Sequence, residues 1–272
     1  MDHAASRRKE WLAVTLQVVV FSKNRPLQLH GYLVSLHDCC RDDLAVTVIA
    51  KSEPEWYSKA YLEVADEFPA VHWRQELVFA DDLLASIDPE IPYTMFGCDD
   101  AVFTGSFGVD DTPWSGVIGR SLRLGHHITR DMFGNHMPKP EVLFDVWSVD
   151  EGVVDWAYPW EVLGTIYQTE FALKMVRRIN APSPSQLEAR GALCWREETD
   201  KRLMAARGVS SLVVPTVNLV QNEYPNGIAG TVPLETGFLL ECWNHGLRMD
   251  TGRYRGMKPP SWRVPDFWLR RA

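Results

Sequence analysis

The chain places two aspartates side by side, Asp99 and Asp100, directly after the apolar run "YTMFGC" at 93–98. Burying a carboxylate without a partner costs on the order of several kcal/mol. Two adjacent carboxylates also repel each other unless something positive sits between them. The pair is therefore either an ordinary exposed turn or a place where a cation is held. Hard divalent cations such as Mg²⁺ take oxygen ligands and typically use one or two carboxylates together with substrate phosphates. The same dipeptide recurs at 42–43, 81–82 and 110–111, so the pair alone leaves both readings open.

The elements around the pair decide where it stands. "VTLQVVVF" (14–21) and "LAVTVIAK" (44–51) are β-branched and continuous, as in strands buried on both faces. "AVHWRQE" (70–76) and "IPYTMFGC" (91–98) add a third and a fourth strand. Between them lie helices: "PLQLHGYLVSLHDC" opened by Pro26, "EPEWYSKAYLEVADEF" (53–68) and "FADDLLASI" (79–87). This rhythm predicts an α/β fold, a mostly parallel sheet flanked by helices, with ligands at the carboxyl ends of the strands. Asp99 and Asp100 fall at such an end. Farther on, 116–127 reads as a strand running into a turn and 131–160 as a long functional excursion. A helix is expected from about Thr165 and another over 183–208; "SSLVVPTVNLVQNE" returns to a strand, and a last helix lies in 234–250. With no repeat and no low-complexity linker, a single domain is expected.

Composition narrows the function. Of 272 residues, 46% are hydrophobic and 24% charged, an ordinary globular balance. A net charge of −8 argues against a protein that grips a nucleic-acid backbone. The five cysteines form no C-x-x-C pair, and Cys39 and Cys40 are adjacent, so reduced thiols in a cytoplasmic protein are expected. No window reaches the roughly 18–20 apolar residues of a membrane span. Eleven tryptophans suit either the core or a cleft that stacks on rings, and Trp114, Trp147, Trp156 and Trp160 cluster in the irregular middle. Nucleophile-elbow, P-loop, zinc and dinucleotide-fingerprint motifs are missing, which sets aside hydrolase, kinase and dehydrogenase readings.

The first strand ends in "FSKNRPLQL", where Ser22, Asn24, Arg25, Pro26 and Leu29 match an S-x-N-R-P-x-x-L turn. This segment resembles the opening of GT-A glycosyltransferases, family 2-like, and "SEPEWYSKAY" (52–61), "SLRLG" (121–125), "DWAYPWEVLGTIYQTE" (155–170) and "VNLVQNEYPN" (217–226) resemble a bacterial subgroup of them. The resemblance covers most of 15–250. It implies that the strand end and turn, Phe21, Ser22 and Arg25, cradle a nucleotide, and that an acidic motif holds the diphosphate through Mn²⁺ or Mg²⁺. "CDD" stands at that motif, with Asp99 and Asp100 as metal ligands and Gly97 or Cys98 where a D-x-D motif would have its first acid. His245 is the best match for a third ligand contributed near the C-terminus; it also suits a helix end, where a cation is stabilised anyway. Where related chains carry Asp-Gly after "YP", this one has Leu163-Gly164.

The implied activity is transfer of a sugar from a nucleotide-sugar donor to a carbohydrate or small-molecule acceptor. Arg25, Lys51 and Arg123 are candidates to stabilise the departing diphosphate, each equally at home as a surface or helix-end residue. Asp155, Glu161 and Glu188 are candidates to deprotonate the acceptor, with Glu161 and Asp155 preferred as catalytic residues. Glu161 also suits a helix's first turn. The expected layout is a tail over 1–13, a nucleotide-binding half over 14–110, an acceptor-binding half over 111–250 and a C-terminal tail over 251–272. A non-catalytic sugar- or nucleotide-binding relative is the alternative; a nucleotidyltransferase is disfavoured because no Gly-rich loop follows the first strand.

Overall fold

One strand, Leu16–Lys23, sits inside the sheet and pairs in parallel on both sides, with Leu44–Lys51 and with Tyr93–Cys98. The computed structural model describes residues 14–221, 223–224 and 233–272. The expected N-terminal tail, and Asn222, Pro225 and Asn226 of "VNLVQNEYPN", lie outside the described residues. In chain order the elements are β1 (Leu16–Lys23), α1 (Pro26–Cys39), β2 (Leu44–Lys51), α2 (Ser58–Glu67), β3 (His72–Gln75), α3 (Phe79–Leu84), β4 (Tyr93–Cys98), β5 (Val102–Phe103), β6 (Val117–Ser121) and β7 (Val146–Ser148). There follow β8 (Thr165–Gln168), α4 (Thr169–Ile179), α5 (Pro184–Cys194), β9 (Leu203–Ala205), β10 (Leu212–Pro215), α6 (Thr236–Asn244), β11 (Leu247–Met249), β12 (Arg263–Val264) and β13 (Leu269–Arg271).

The main sheet has eight strands in the order β3-β2-β1-β4-β8-β6-β9-β7. It is mostly parallel: β3, β2, β1 and β4 run one way, and β9 runs with β6. β8 lies antiparallel between β4 and β6, and β7 closes the far edge antiparallel to β9. β1 is buried along nearly its whole length, as its β-branched sequence requires of a central strand. Its interior Gln17 donates to the Asp88 carbonyl (2.8 Å) and Thr94 Oγ1 (3.1 Å) and accepts from the Asp88 N–H (2.8 Å), so this side chain is left with no unsatisfied polar atom. α1 packs with α2 and α6, while α3 and α5 each pack on α4.

Strand order reverses at β1. The chain moves from β1 outward through β2 to β3, then returns to the other side of β1 as β4. The loops leaving the carboxyl ends of β1 and β4 diverge from such a point and leave a crevice between them. The antiparallel insertion of β8 adds a third contributor. Because Ser121 pairs with Thr165 and Met95 with Ile166, the start of β8 lies at the same rim as the ends of β4 and β6.

Several expectations are corrected. The segment from Thr165 is first a strand and becomes a helix only at Thr169: "TIYQ" is β-branched and aromatic, and it is hydrogen-bonded on both edges, by β4 and β6. The helix begun at Pro184 ends at Cys194, and β9 occupies part of the remainder. Residues 251–272 do not form a loose tail. Tyr254, Trp262 and Val264 are buried, and β12 pairs with β10 and β13 with β11 in two small sheets apart from the main one. The excursion over 131–160 contributes the edge strand β7 and packs Trp147, Trp156 and Trp160 into the core. Trp114 is half-buried and stacks on Tyr93 at 4.5 Å between ring centroids. The five cysteines are free, and among the described residues no helix is long and apolar enough to cross a membrane.

Gly97 is explained by packing. A Cβ there would overlap the buried hydroxyl of Tyr32 on α1, so no acidic side chain fits at that position of β4. Gly97→Ala is expected to destabilise the fold by about 1–3 kcal/mol in urea unfolding, whereas Gly105→Ala, which meets nothing within 4 Å, leaves stability nearly unchanged.

Candidate active site

The turn after β1 is built residue by residue to send one guanidinium into the crevice. Asn24 takes a left-handed conformation at φ 56°, which Asn tolerates better than most residues. Its side chain clasps the loop after β2, donating to the Glu53 carbonyl and accepting from the Glu53 N–H at 2.8 Å. Pro26 then opens α1. Arg25, between them, is 5% exposed, and its side chain turns back toward β4.

There it meets the aspartate pair. Arg25 Nη1 donates to Asp99 Oδ1 and to Asp100 Oδ2, both at 3.0 Å, and Nη2 donates to the Asn218 carbonyl at 2.6 Å. Asp99 Oδ2 accepts from Ser22 Oγ (2.7 Å) and from the Lys23 N–H (3.2 Å). Tyr61 supports the turn from α2: its hydroxyl lies 2.7 Å from Ser22 Oγ and accepts from the Arg25 N–H at 3.1 Å. The positive group between the two carboxylates is therefore Arg25. Burial works against the Arg25 charge, but Asp99 and Asp100 outweigh it and hold its pKa above the ordinary value. Burial pushes the Asp99 carboxyl up to about 6, with Arg25 opposing the rise and Asp100 adding to it.

Arg123 organises a second cluster, beyond β6. Its Nη1 lies 2.9 Å from Asp155 Oδ1, and its Nε donates to Glu161 Oε2. Glu161 Oε1 also accepts from Thr165 Oγ1 and, at 3.3 Å, from Ser121 Oγ, the two residues that pair across β6 and β8. Asp155 Oδ2 accepts from the Trp262 indole N–H at 2.9 Å, and the Arg123 guanidinium lies 5.0 Å from the centre of that ring. Both preferred base candidates are thus engaged. Glu161 is only 2% exposed, and burial raises its pKa while Arg123 opposes the rise.

Glu188 differs from them. It projects from α5 and accepts the Val162 N–H on Oε2 at 3.0 Å, and the Tyr158 hydroxyl also hydrogen-bonds its side chain. Burial pushes it up to about 7; the Val162 N–H and Arg123 oppose that rise, and Glu161 and Asp155 add to it. Cys98 links the two clusters: its thiol donates to the Val162 carbonyl at 3.7 Å and feels Asp100, Asp99 and Glu188. Arg263, on β12, is held below the usual arginine range by burial, against the pull of both Asp100 and Asp155.

The remaining expected residues are placed less directly. Phe21 is a core residue, stacked 6.2 Å from Phe96 and packed 5.3 Å from Phe79, and it reaches the site only through its carbonyl, which accepts the Asp99 N–H at 3.2 Å. Lys51 is half-buried at the end of β2, 3.3 Å from Glu76 and 3.4 Å from Glu53. His245 is exposed where α6 ends. The structure does not bring it to the aspartates, and among the described residues no three His, Cys, Asp or Glu side chains are grouped to hold an ion. Asn218, Tyr61, Trp262 and Arg263 are not singled out by the sequence; Asn218 and Tyr61 lie inside the stretches 217–226 and 52–61 that carry the resemblance, and nothing local marks Trp262 and Arg263. Two donors at the crevice, Arg25 Nε and Asn218 Nδ2, are buried without a partner among the described residues.

Removing Arg25 tests the electrostatics. Arg25→Met leaves Asp99 buried beside a second carboxylate, a loss of about 3–5 kcal/mol at pH 8 for breaking a buried pair. Arg25 holds the Asp99 carboxyl down against burial, so without it the carboxyl takes up its proton at a higher pH than about 6, and the cost is expected to shrink as pH falls from 8 toward 6 and to level off below. Urea unfolding of wild type and variant at pH 8 and pH 5 measures both terms.

No family model matches the chain. Over 256 residues it is 23% identical to the bifunctional glycosyltransferase pgtA of Dictyostelium discoideum, covering 78% of this chain and 33% of that protein. The chain spans about a third of the length of the curated relative it matches. Among solved structures it is similar to residues 1–349 of TarS from S. aureus in complex with UDP, with 10% identity, a TM-score of 0.48, and coverage of 71% of this chain and 57% of that one. It is also similar to the apo bifunctional glycosyltransferase WbbM, with 10% identity, a TM-score of 0.36, and coverage of 67% and 37%.

Proposed function

We propose that the chain transfers a glycosyl group from a nucleotide-sugar donor to a hydroxyl acceptor. The observation that carries this reading is the crevice at the β1/β4 reversal, where one buried guanidinium holds two carboxylates and leaves unpartnered donors beside them. The similarity to pgtA supports the reaction class. Arg25 Nε and Asn218 Nδ2 are suited to the oxygens of a diphosphate, and the fixed charge of Arg25 to the negative charge that develops as the bond to the sugar breaks.

Asp99 and Asp100 divide their work. Asp99 has both oxygens engaged, by Ser22, the Lys23 N–H and Arg25, and acts by orienting Arg25. Asp100 Oδ1 accepts nothing among the described residues. That donor set fits a divalent cation shared with the donor's phosphates. Asp100 would hold Mn²⁺ or Mg²⁺, which when bound neutralises charge on the departing nucleoside diphosphate.

Acceptor activation falls to Glu188. As the acceptor oxygen bonds to the anomeric carbon and the carbon–oxygen bond to the diphosphate breaks, the hydroxyl proton passes to the Glu188 carboxylate. A base needs a pKa near the working pH, and Glu188 stands at about 7, whereas the Glu161 and Asp155 carboxylates are both held by Arg123. Arg123, Glu161 and Asp155 instead form the wall that keeps α5 and β8 in register with the crevice.

Isothermal titration with UDP, GDP and dTDP, with and without Mn²⁺, is expected to show binding of at least one of them. Asp100→Ala should remove the metal-dependent part; failure of all three nucleotides in both conditions would sink the proposal. Glu188→Gln should lower kcat by about 10²–10⁴-fold with nucleotide affinity unchanged, and wild-type kcat should rise with pH through about 7. Stability should move the other way. The folded protein keeps a proton on Glu188 that the unfolded chain releases between 4.5 and about 7, so folding stability falls across that window, and Glu188→Gln removes that contribution.

A further inference from the structure

A cleft of about 370 Å³ lies away from this crevice and shares no residue with it, between the start of α2 and the end of α6. Such a volume is within the ordinary range for small-ligand sites, about 300–1,000 Å³. Its floor is Trp243, 2% exposed, whose indole N–H donates to Glu63 at 2.6 Å. The Arg248 guanidinium carbon lies over that ring, 3.4 Å from its centre, and Nη2 reaches Glu67 at 3.4 Å. The two helices that form the walls are tied together where Tyr57 donates to Thr236 Oγ1 at 2.8 Å.

Trp56 forms the opposite lip and is 68% exposed. An indole left that open to water forgoes most of the burial that normally accounts for a tryptophan's place in a fold. Around it stand an ammonium, a carboxylate and an amide: Lys59 and Glu63, 3.6 Å apart on α2, and Asn244, exposed at the end of α6. Lys59 keeps donors to spare beyond that single contact, and an amide both donates and accepts.

A flat apolar plate ringed by short-range donors and acceptors is complementary to one kind of molecule. A pyranose has an apolar C–H face that lies on an aromatic ring and a perimeter of hydroxyls that each donate and accept. A purely apolar ligand would cover the spare donors of Lys59 and the amide of Asn244 without offering them a partner, at a cost for each. We infer that the cleft between α2 and α6 is a carbohydrate-binding subsite, with Trp56 as the stacking platform and Glu63, Lys59, Asn244 and Arg248 as the polar rim. It would hold a sugar residue of a glycan independently of the nucleotide crevice, and the inference does not rest on catalysis there.

The test uses the full chain and four probes: cellobiose, maltose, chitobiose and N-acetyllactosamine. Saturation-transfer NMR and tryptophan fluorescence should show binding of at least one. Trp56→Ala is expected to weaken it on the order of tenfold or more, as loss of an aromatic anchor does, and Trp56→Phe to restore part of the affinity. Trp56 is exposed, so both variants should melt like wild type. Asp100→Ala should leave disaccharide binding intact, even if nucleotide binding fails. Binding of none of the four, binding that survives Trp56→Ala, or binding lost in Asp100→Ala would each overturn the assignment.

Discussion

The Arg25 guanidinium, inserted between Asp99 and Asp100, is the interaction on which the rest of the site depends. Two adjacent carboxylates at the end of a buried strand are tolerable only if a positive charge reaches them, and that charge must itself be buried to be strong. Arg25 can arrive only if β1 and β4 are neighbours in parallel, with Phe21 opposite Cys98. The same pairing brings Asp99's N–H to the Phe21 carbonyl, so backbone and side-chain contacts reinforce one register. The turn then serves this placement: Asn24 bends the chain and grips the neighbouring loop, Pro26 starts α1, and Tyr61 holds the turn from below.

The second cluster repeats the device with other residues. Arg123 is shared by Asp155 and Glu161 as Arg25 is by the aspartates, and both guanidinium groups are almost inaccessible. A buried pair of this kind contributes little net stability compared with an apolar substitute, yet it is costly to break. Its physical role is to fix geometry. Arg123 locks the antiparallel insertion of β8 against β6 through Glu161, Ser121 and Thr165, and so positions the segment that carries Val162 and Glu188. Asp99, Asp155 and Glu161 are thus consumed in holding the rim together, whereas Asp100 keeps an oxygen that accepts nothing among the described residues. Arg263, from a strand near the C-terminus, stands in the field of both clusters.

Much of the N-terminal half could be read from residue order, since its strands are apolar and β-branched and its helices open on proline. Local patterns work there because each element forms from neighbours in sequence. The reading weakened after residue 110. "TIYQ" resembles the start of the helix that follows it, and only hydrogen bonding to β4 and β6 makes it a strand. Residues 251–272 read as a tail, but Trp262 and Val264 are buried and β12 pairs with β10, a strand about fifty residues earlier whose proximity local sequence does not reveal.

The sequence by itself determined the alternating architecture, the rim at which the aspartates stand, and the turn that carries Arg25, because those follow from periodicity, proline placement and the cost of isolated charge. It also marked Gly97 as a departure from an acidic motif. Only the tertiary structure decided what that departure means: the Tyr32 hydroxyl occupies the space a side chain would need. It also decided which carboxylates remain available. Glu161, Asp155 and Glu188 are alike as residue types, and their difference arises from partners up to 107 positions away in the chain, such as Trp262 against Asp155. Charge can be counted in a sequence, but its neutralisation depends on distances of about 3 Å between segments that only folding brings together.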